Sequence, residues 1–430
     1  MNPEGIPERA GWWARCQDDE QLRSLAVAAT VRFTVAGDAW AAWFAMTDGV
    51  VTDGGDGRDP SAEFTVAAPD VAWREFFAAV PRPPFQNLFG MLMRVEGARI
   101  EGPALRFAQF CHVVRRVLEL GREHAAGRPE GTGAGAALMP AQDPVRGGYH
   151  PVTIGSREHR VFVEQAGTGR DLLMLHTAGA DARQFHHLMA HPELAARCRM
   201  VAFDLPWHGR SFPPVGAVPG SYELTTADYR EAVAGVIAAL GLDRPIVLGC
   251  SMSGLLCLDL AATAPDLVGG VVACEASDVV PGRQVPWARH PEVNQAVFVP
   301  EWIDGLMAPQ THPQHRQEIW WAYSQGGFGS FFGDILFYSG GFDARDRLGD
   351  IDTARCPVVM LTGEYDYSCT PEMSRRTAAR IDGATFRVLP EIGHFPPAEA
   401  PQRFASHLLE ALDTIEAAAP TAPTNGRTSP

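Results

Sequence analysis

The stretch Val247–Gly254, "VLGCSMSG", decides the fold. An apolar run ends at Gly249, a serine follows two residues later, and small residues flank it on both sides. A serine at a sharp strand-to-helix turn needs small residues two before and two after it, because strand and helix converge there. Gly249 and Ser253 fill those positions, and Gly254 lets the helix pack closely. Such a turn exposes only its central residue, so Ser251 is the candidate nucleophile and the neighbouring thiol of Cys250 points away. The helix that follows aims its N-terminus at the serine, where its dipole and free N–H groups favour a developing oxyanion.

A serine does not act alone; it needs a base to take its proton and an acid to orient that base. In this arrangement the acid and then the histidine come later in the chain. "VVMLTGEYD" ends an apolar strand and offers Asp366, with Glu364 and Asp352 as rivals. "TFRVLPEIGH" ends the next strand and offers His394. The order Ser251, Asp366, His394 is the expected one. All three follow the C-terminal ends of strands, where the sites of open parallel sheets collect.

From about 149 to 415, buried apolar strands alternate with amphipathic helices, which predicts a mostly parallel sheet covered on both faces. With "LLMLHTAGADARQF", "VAFDLPWHGRS", "VLGCSMSG" and "GEYD…GHF" in this order, the region resembles an α/β-hydrolase. The resemblance implies an oxyanion hole built from the N–H of Met252 and from the loop after His176. Thr177 stands there where glycine is usual, which leaves Thr177 and Ala178 as candidate donors. Trp207 stands where the second landmark usually has glycine, so it either walls the pocket or packs under its loop. About 75 residues, from roughly 280 to 355, separate two strands, longer than a simple connection. They are rich in aromatics and predict a helical cap, about 280–350. Trp320, Trp321, Phe331 and Phe395 join Trp207 as candidate substrate contacts, although most cap aromatics are expected to hold the cap to the body.

Residues 1–124 predict a smaller α+β domain. "ATVRFTVAG", "AWAAWFAMTDG" and "EFTVAAPD" alternate apolar and polar residues between turn signals, as hairpin strands do. Asp70 is placed to cap the helix "VAWREFFAAV", and "LRFAQFCHVVRRVLEL" has apolar residues at helical spacing. The pattern resembles sterol carrier protein-like domains, whose sheet-and-helix shell surrounds an apolar tunnel. That implies Trp40, Trp43, Phe44, Phe76, Phe77 and Phe89 as a lipid-facing lining; otherwise they are core. The Gly-, Ala- and Pro-rich segment 125–148 reads as a linker, and 416–430 as a frayed tail.

The 430 residues are 46% hydrophobic with a formal net charge of −15. That charge disfavours nucleic acid and anionic membrane as main partners. There is no basic and apolar leader pattern at the start, and no apolar run long enough to span a bilayer. Eight scattered cysteines form no CxxC pair, so neither zinc nor a disulfide framework is expected, and a reducing cytoplasm fits. The expectation is a cytoplasmic serine hydrolase of a small-molecule carboxylic ester with a bulky apolar or aromatic part. It needs no cofactor and no metal, and a homodimer is allowed by its aromatic-rich segments. Carbon–carbon (diketone), amide or thioester cleavage, acyl transfer and perhydrolysis would use the same residues. A non-catalytic lipid-binding protein is the reading of another class.

Overall fold

The computed structural model describes residues 5–127, 144–283 and 285–418. In its N-terminal part, α1 (Arg9–Asp18) and α2 (Glu20–Leu25) precede a hairpin ladder of β1 (Thr30–Ala36), β2 (Ala41–Thr47) and β3 (Val50–Asp56). Then come β4 (Phe64–Ala67), α3 (Asp70–Phe76), α4 (Leu88–Arg94), β5 (Arg99–Glu101) and the long α5 (Ala104–Ala126). The sheet order is β3-β2-β1-β4-β5, with β1 and β4 parallel and the other pairs antiparallel. Phe33 pairs with Phe44 in register and stacks between Phe44 and Phe64, at 5.6 and 5.7 Å between ring centres. This one apolar face is covered by α1 and α5: Trp12 packs edge-on to Phe44 and Phe77 and donates its indole N–H to Val117 O at 2.6 Å.

Asp70 does not cap α3 as expected. It is the first helical residue, and its carboxylate instead accepts from Asp38 N at 2.7 Å, tying the β1–β2 turn to the helix start. The tertiary neighbour competes successfully because the turn's amide has no ladder partner.

The C-terminal part opens with β6 (Arg146–Ile154), which begins inside the segment read as linker. β6 pairs along its length with β7 (Arg157–Ala166). Backbone pairing, rather than any apolar pattern, makes it a strand. At its other end the supposed linker also loses Ala125 and Ala126, which continue α5. Next come β8 (Arg170–Leu175), the short α6 (His186–Met189), α7 (Pro192–Arg197) and β9 (Cys198–Phe203). They are followed by α8 (Thr226–Leu240), β10 (Ile246–Cys250), α9 (Met252–Thr263) and β11 (Gly270–Cys274). An insertion carrying α10 (Gln295–Asp304), α11 (Pro313–Ser324) and α12 (Ser330–Leu336) follows. The chain closes with β12 (Val358–Gly363), α13 (Pro371–Ala378), β13 (Thr385–Leu389), α14 (Pro396–Glu399) and α15 (Pro401–Ala418). Helix α15 extends past the expected tail boundary at 416 because Leu408, Leu412 and Ile415 bury one face of it on the sheet.

The eight strands order as β13-β12-β11-β10-β8-β9-β7-β6, parallel from β13 to β9 and antiparallel at β7 and β6. Successive residues feed opposite faces: Val247 and Val271 join the core under α8 and α9, whereas Ile246, Leu248, Cys250 and Val272 join the one under α15. The α/β sheet, the helical insertion and the smaller N-terminal α+β part agree with the expected fold class.

The two parts share a packed seam. Arg115 of α5 is buried and paired to the buried Glu301 of α10, with Arg115 Nη2 at 3.2 Å from Glu301 Oε1. Phe89 of α4 meets Trp302 of α10 at 6.4 Å. No helix among the described residues is long and apolar enough to cross a membrane.

Candidate active site

Ser251 sits between β10 and α9 with φ 62° and ψ −122°, a backbone conformation an L residue holds only under constraint. The constraint is close packing. A Cβ on Gly249 would overlap the Ser253 carbonyl, and one on Gly254 would overlap the Cys274 carbonyl. Ser251 N donates to Cys274 O at 3.0 Å, which ties the turn to β11. Cys250, next to the serine, is fully buried in the opposite core, as the turn geometry requires.

Asp366, in the loop after β12, is 1% exposed. Its Oδ1 accepts from Ser368 N at 2.7 Å and Cys369 N at 3.1 Å, and its Oδ2 faces His394 Nδ1 at 2.7 Å. Burial works to raise its pKa, but the His394 ring and these hydrogen bonds outweigh it, and the carboxyl stays below its usual range. The rivals do not reach the imidazole. Glu364 is exposed and accepts from Glu391 N, and Asp352 is exposed and accepts from Ala354 N. His394 is held by its own amide, which donates to Leu306 O of the insertion at 3.0 Å.

A third acid was not foreseen. Glu275, at the end of β11, is fully buried and has φ 52°. Its carboxyl accepts from Gly363 N at 3.0 Å and lies with the Asp366 and His394 polar atoms in one group spanning no more than 4.8 Å. Burial, then the Asp366 charge, push its pKa well up, which favours the protonated carboxyl beside Asp366. Two buried carboxyls beside one imidazole share their charge unequally. The available signal was a lone acid closing the apolar run "VVACEAS".

On the loop after β8, the Thr177 N–H donates to Gln184 Oε1 at 3.0 Å, which removes it from the candidate oxyanion donors. Among the described residues the amides of Ala178 and Met252 donate to no group. Asp334 of α12, buried and also unforeseen, fixes this loop. It accepts from Gly179 N at 2.7 Å, from His208 Nε2 at 2.8 Å and from Tyr222 OH at 2.8 Å. Burial lowers the His208 pKa, but Asp334 outweighs it and raises it, while burial and the His208 charge hold His176 below its usual value.

The expected substrate contacts divide. Phe395 packs edge-on to the His394 ring at 5.1 Å, and Phe331 lies against Gly179 and Trp302. Trp321 is 64% exposed but lines, with Phe395, Tyr323 and Ile319, a cavity of about 280 Å³. Trp320 turns the other way, donating its indole N–H to Glu301 Oε1 at 2.9 Å in the seam with α5; the buried carboxylate claims it. Trp207 packs on Tyr222 at 5.6 Å, and its carbonyl accepts from Ser330 Oγ. In the N-terminal part, Trp40, Phe44, Phe76 and Phe77 interlock with Trp12 and Trp73 as core. Trp43 carries the Arg32 guanidinium, and Phe89 packs on Phe107 and Trp302.

A strained serine turn after β10 and a buried Asp–His pair beyond β12 and β13 lie at the C-terminal side of the parallel sheet. The model of the alpha/beta hydrolase family matches residues 172–407, and the chain belongs to that family. The chain is 22% identical over 276 residues to an uncharacterized protein of Mycobacterium tuberculosis, covering 59% of this chain and 78% of that one. Among solved structures, a thermophilic esterase from Thermogutta terrifontis is similar at TM-score 0.55 and 22% identity, over 63% of this chain and 99% of its own. The enol-lactonase from Burkholderia xenovorans LB400 is similar at TM-score 0.53 and 19% identity, over 62% and 100%. At these identities the structural likeness is one of fold.

Proposed function

We propose that this chain is a serine hydrolase cleaving a carboxylic ester with a bulky apolar or aromatic part through an acyl-enzyme. The observation that carries the reading is the strained Ser251 turn in the same protein as the buried Asp366–His394 pair. Ser251 Oγ attacks the ester carbonyl carbon while His394 Nε2 takes the hydroxyl proton. The Asp366 carboxylate holds the imidazole by Nδ1 and steadies the imidazolium. The carbonyl oxygen becomes an oxyanion, received by the N–H groups of Met252 and Ala178 with the α9 dipole behind them. Collapse expels the alcohol, which takes its proton from Nε2. Water, deprotonated by His394, then attacks the acyl carbon, the acid departs and Ser251 is restored.

The insertion acts in this reading as a cap. Phe331, Tyr323 and Phe395 supply apolar surface that favours an apolar or aromatic substrate part and excludes water. The N-terminal domain buttresses the acid loop through α4. Its interlocked aromatics support a solid core over the lipid-lined tunnel that the sterol carrier resemblance implied. The fold and these residues serve amide, thioester or diketone cleavage equally, so a substrate panel separates them.

Purified protein is expected to turn over p-nitrophenyl esters of graded acyl size and to take one equivalent of a serine-directed phosphonate at Ser251. Ser251→Ala is expected to lower turnover at least about 10³-fold. Undiminished turnover in that variant overturns the proposal.

A further inference from the structure

Beside the cavity that Phe395 lines, three side chains converge that the hydrolytic reading does not use. His187 comes from α6 on the body, and His315 and Glu318 come from one face of α11 on the insertion, three residues apart. The His187 and His315 rings stand 4.7 Å apart, edge to face. His187 Nε2 lies 2.6 Å from Glu318 Oε2, and His315 Nδ1 lies 3.6 Å from the same oxygen. All three offer a ligand atom within 4.8 Å of the others.

The His187–Glu318 contact alone is an ordinary hydrogen bond. The independent observation is His315. Its residue is 5% exposed, and its Nδ1 is buried with no hydrogen-bond partner among the described residues. At 3.6 Å the carboxylate is too far to accept its proton. A buried ring nitrogen left without a hydrogen bond costs free energy unless something else fills the space it faces. It faces the other two donors.

We infer that His187, His315 and Glu318 form a divalent metal site, suited first to zinc, that joins the insertion to the body beside this cavity. Two imidazole nitrogens and one carboxylate oxygen are the donor set zinc takes with a fourth, open position. Bonds of about 2.0–2.1 Å in a tetrahedron set ligand atoms about 3.3 Å apart. The present 2.6 and 3.6 Å separations bracket that value, so small rotations of the side chains suffice. The ligands are scattered over α6 and α11, which is why no CxxC-like spacing announced them. Glu318 and His187 also line the cavity, so the ion would fix the distance between the two walls they stand on. Among the described residues, the buried group Glu275, Asp366 and His394 is the other cluster of donors, and in the proposed reading it serves catalysis.

The test is titration of EDTA-stripped full-length protein with zinc chloride, by calorimetry in a non-chelating buffer, with thermal unfolding alongside. One equivalent is expected to bind at micromolar concentration or below and to raise the melting temperature. His315→Ala and His187→Asn are each expected to weaken binding at least about 10-fold. His315→Gln, which keeps size and polarity, covers a folding failure of the alanine variant. Cobalt(II) should give the visible absorption of a tetrahedral site in wild type and lose it in His315→Gln. His394→Ala is expected to bind zinc as the wild type does. No saturable zinc binding, binding unchanged in both the His187 and His315 variants, or binding lost only in His394→Ala overturns the inference.

Discussion

The Arg94 guanidinium of α4 donates from Nε to the Tyr367 carbonyl oxygen at 2.7 Å, one residue beyond Asp366 in the chain. Its Nη2 donates to Ser368 O at the same distance, and Gln86 Nε2 donates to Tyr365 O at 2.8 Å. The N-terminal part therefore braces the loop that carries the acid on both sides. Arg94→Met removes two charge-assisted donors from buried carbonyls and loosens the loop. The expected result is a fall in kcat of about tenfold, or about 1.4 kcal/mol of barrier, with KM changed less than about twofold. A change confined to KM would place Arg94 in substrate binding instead.

Asp366 and Glu364 stand two residues apart, yet only Asp366 is buried against His394. Asp366→Asn should lower kcat by about 10³–10⁴-fold, because the amide cannot stabilise an imidazolium and favours the wrong tautomer. Glu364→Gln should stay within about twofold. Equal losses in steady-state assays of the two variants would remove Asp366 from its role.

Glu275 gives a pH signature in stability. Its carboxyl is raised in the folded state, so the neutral form is the one folding favours. Its contribution is complete below the usual carboxyl value near 4.5 and is lost as pH climbs from there toward the folded value. One such group produces a loss of at most about 1.4 kcal/mol per pH unit over that window. Glu275→Gln keeps a donor toward Asp366 and an acceptor for Gly363 N without the charge. Urea unfolding at pH 5, 7 and 9 should show a flatter decline in the variant. Parallel curves would mean Glu275 is ionised in the native protein.

Arg115 is the seam's central charge, facing Glu301, Glu119 and Asp304 from under 10% exposure. Arg115→Ala leaves Glu301 buried without its cation, although Trp320 still donates to it. A loss of about 3–5 kcal/mol in unfolding free energy is expected. Exchanging Arg115 and Glu301 together for Met should recover part of it. A single variant as stable as wild type would show that the seam does not depend on this pair.

Much of the architecture was legible because it rests on local patterns. Continuous apolar runs such as Ile246–Cys250 gave buried parallel strands. Strand β6 was not legible, since its exposed, alternating residues carry little apolar signal and its identity comes from pairing with β7. Asp70 and Trp320 went astray for a related reason. Each found a distant partner, the β1–β2 turn or Glu301, that no local spacing records.

The sequence by itself determined the parallel sheet, the tight turn at Ser251 and the order of the serine, acid and histidine. Those follow from periodicity and from the steric needs of one turn, both written within a few residues. Tertiary structure decided that Asp366 rather than Glu364 meets His394, that Glu275 shares its charge, and that Gln184 claims Thr177's amide. It also set His187 beside His315 and Glu318. Each depends on side chains far apart in the chain meeting in a medium of low dielectric, where burial and a single neighbour settle which group carries charge and which amide stays free.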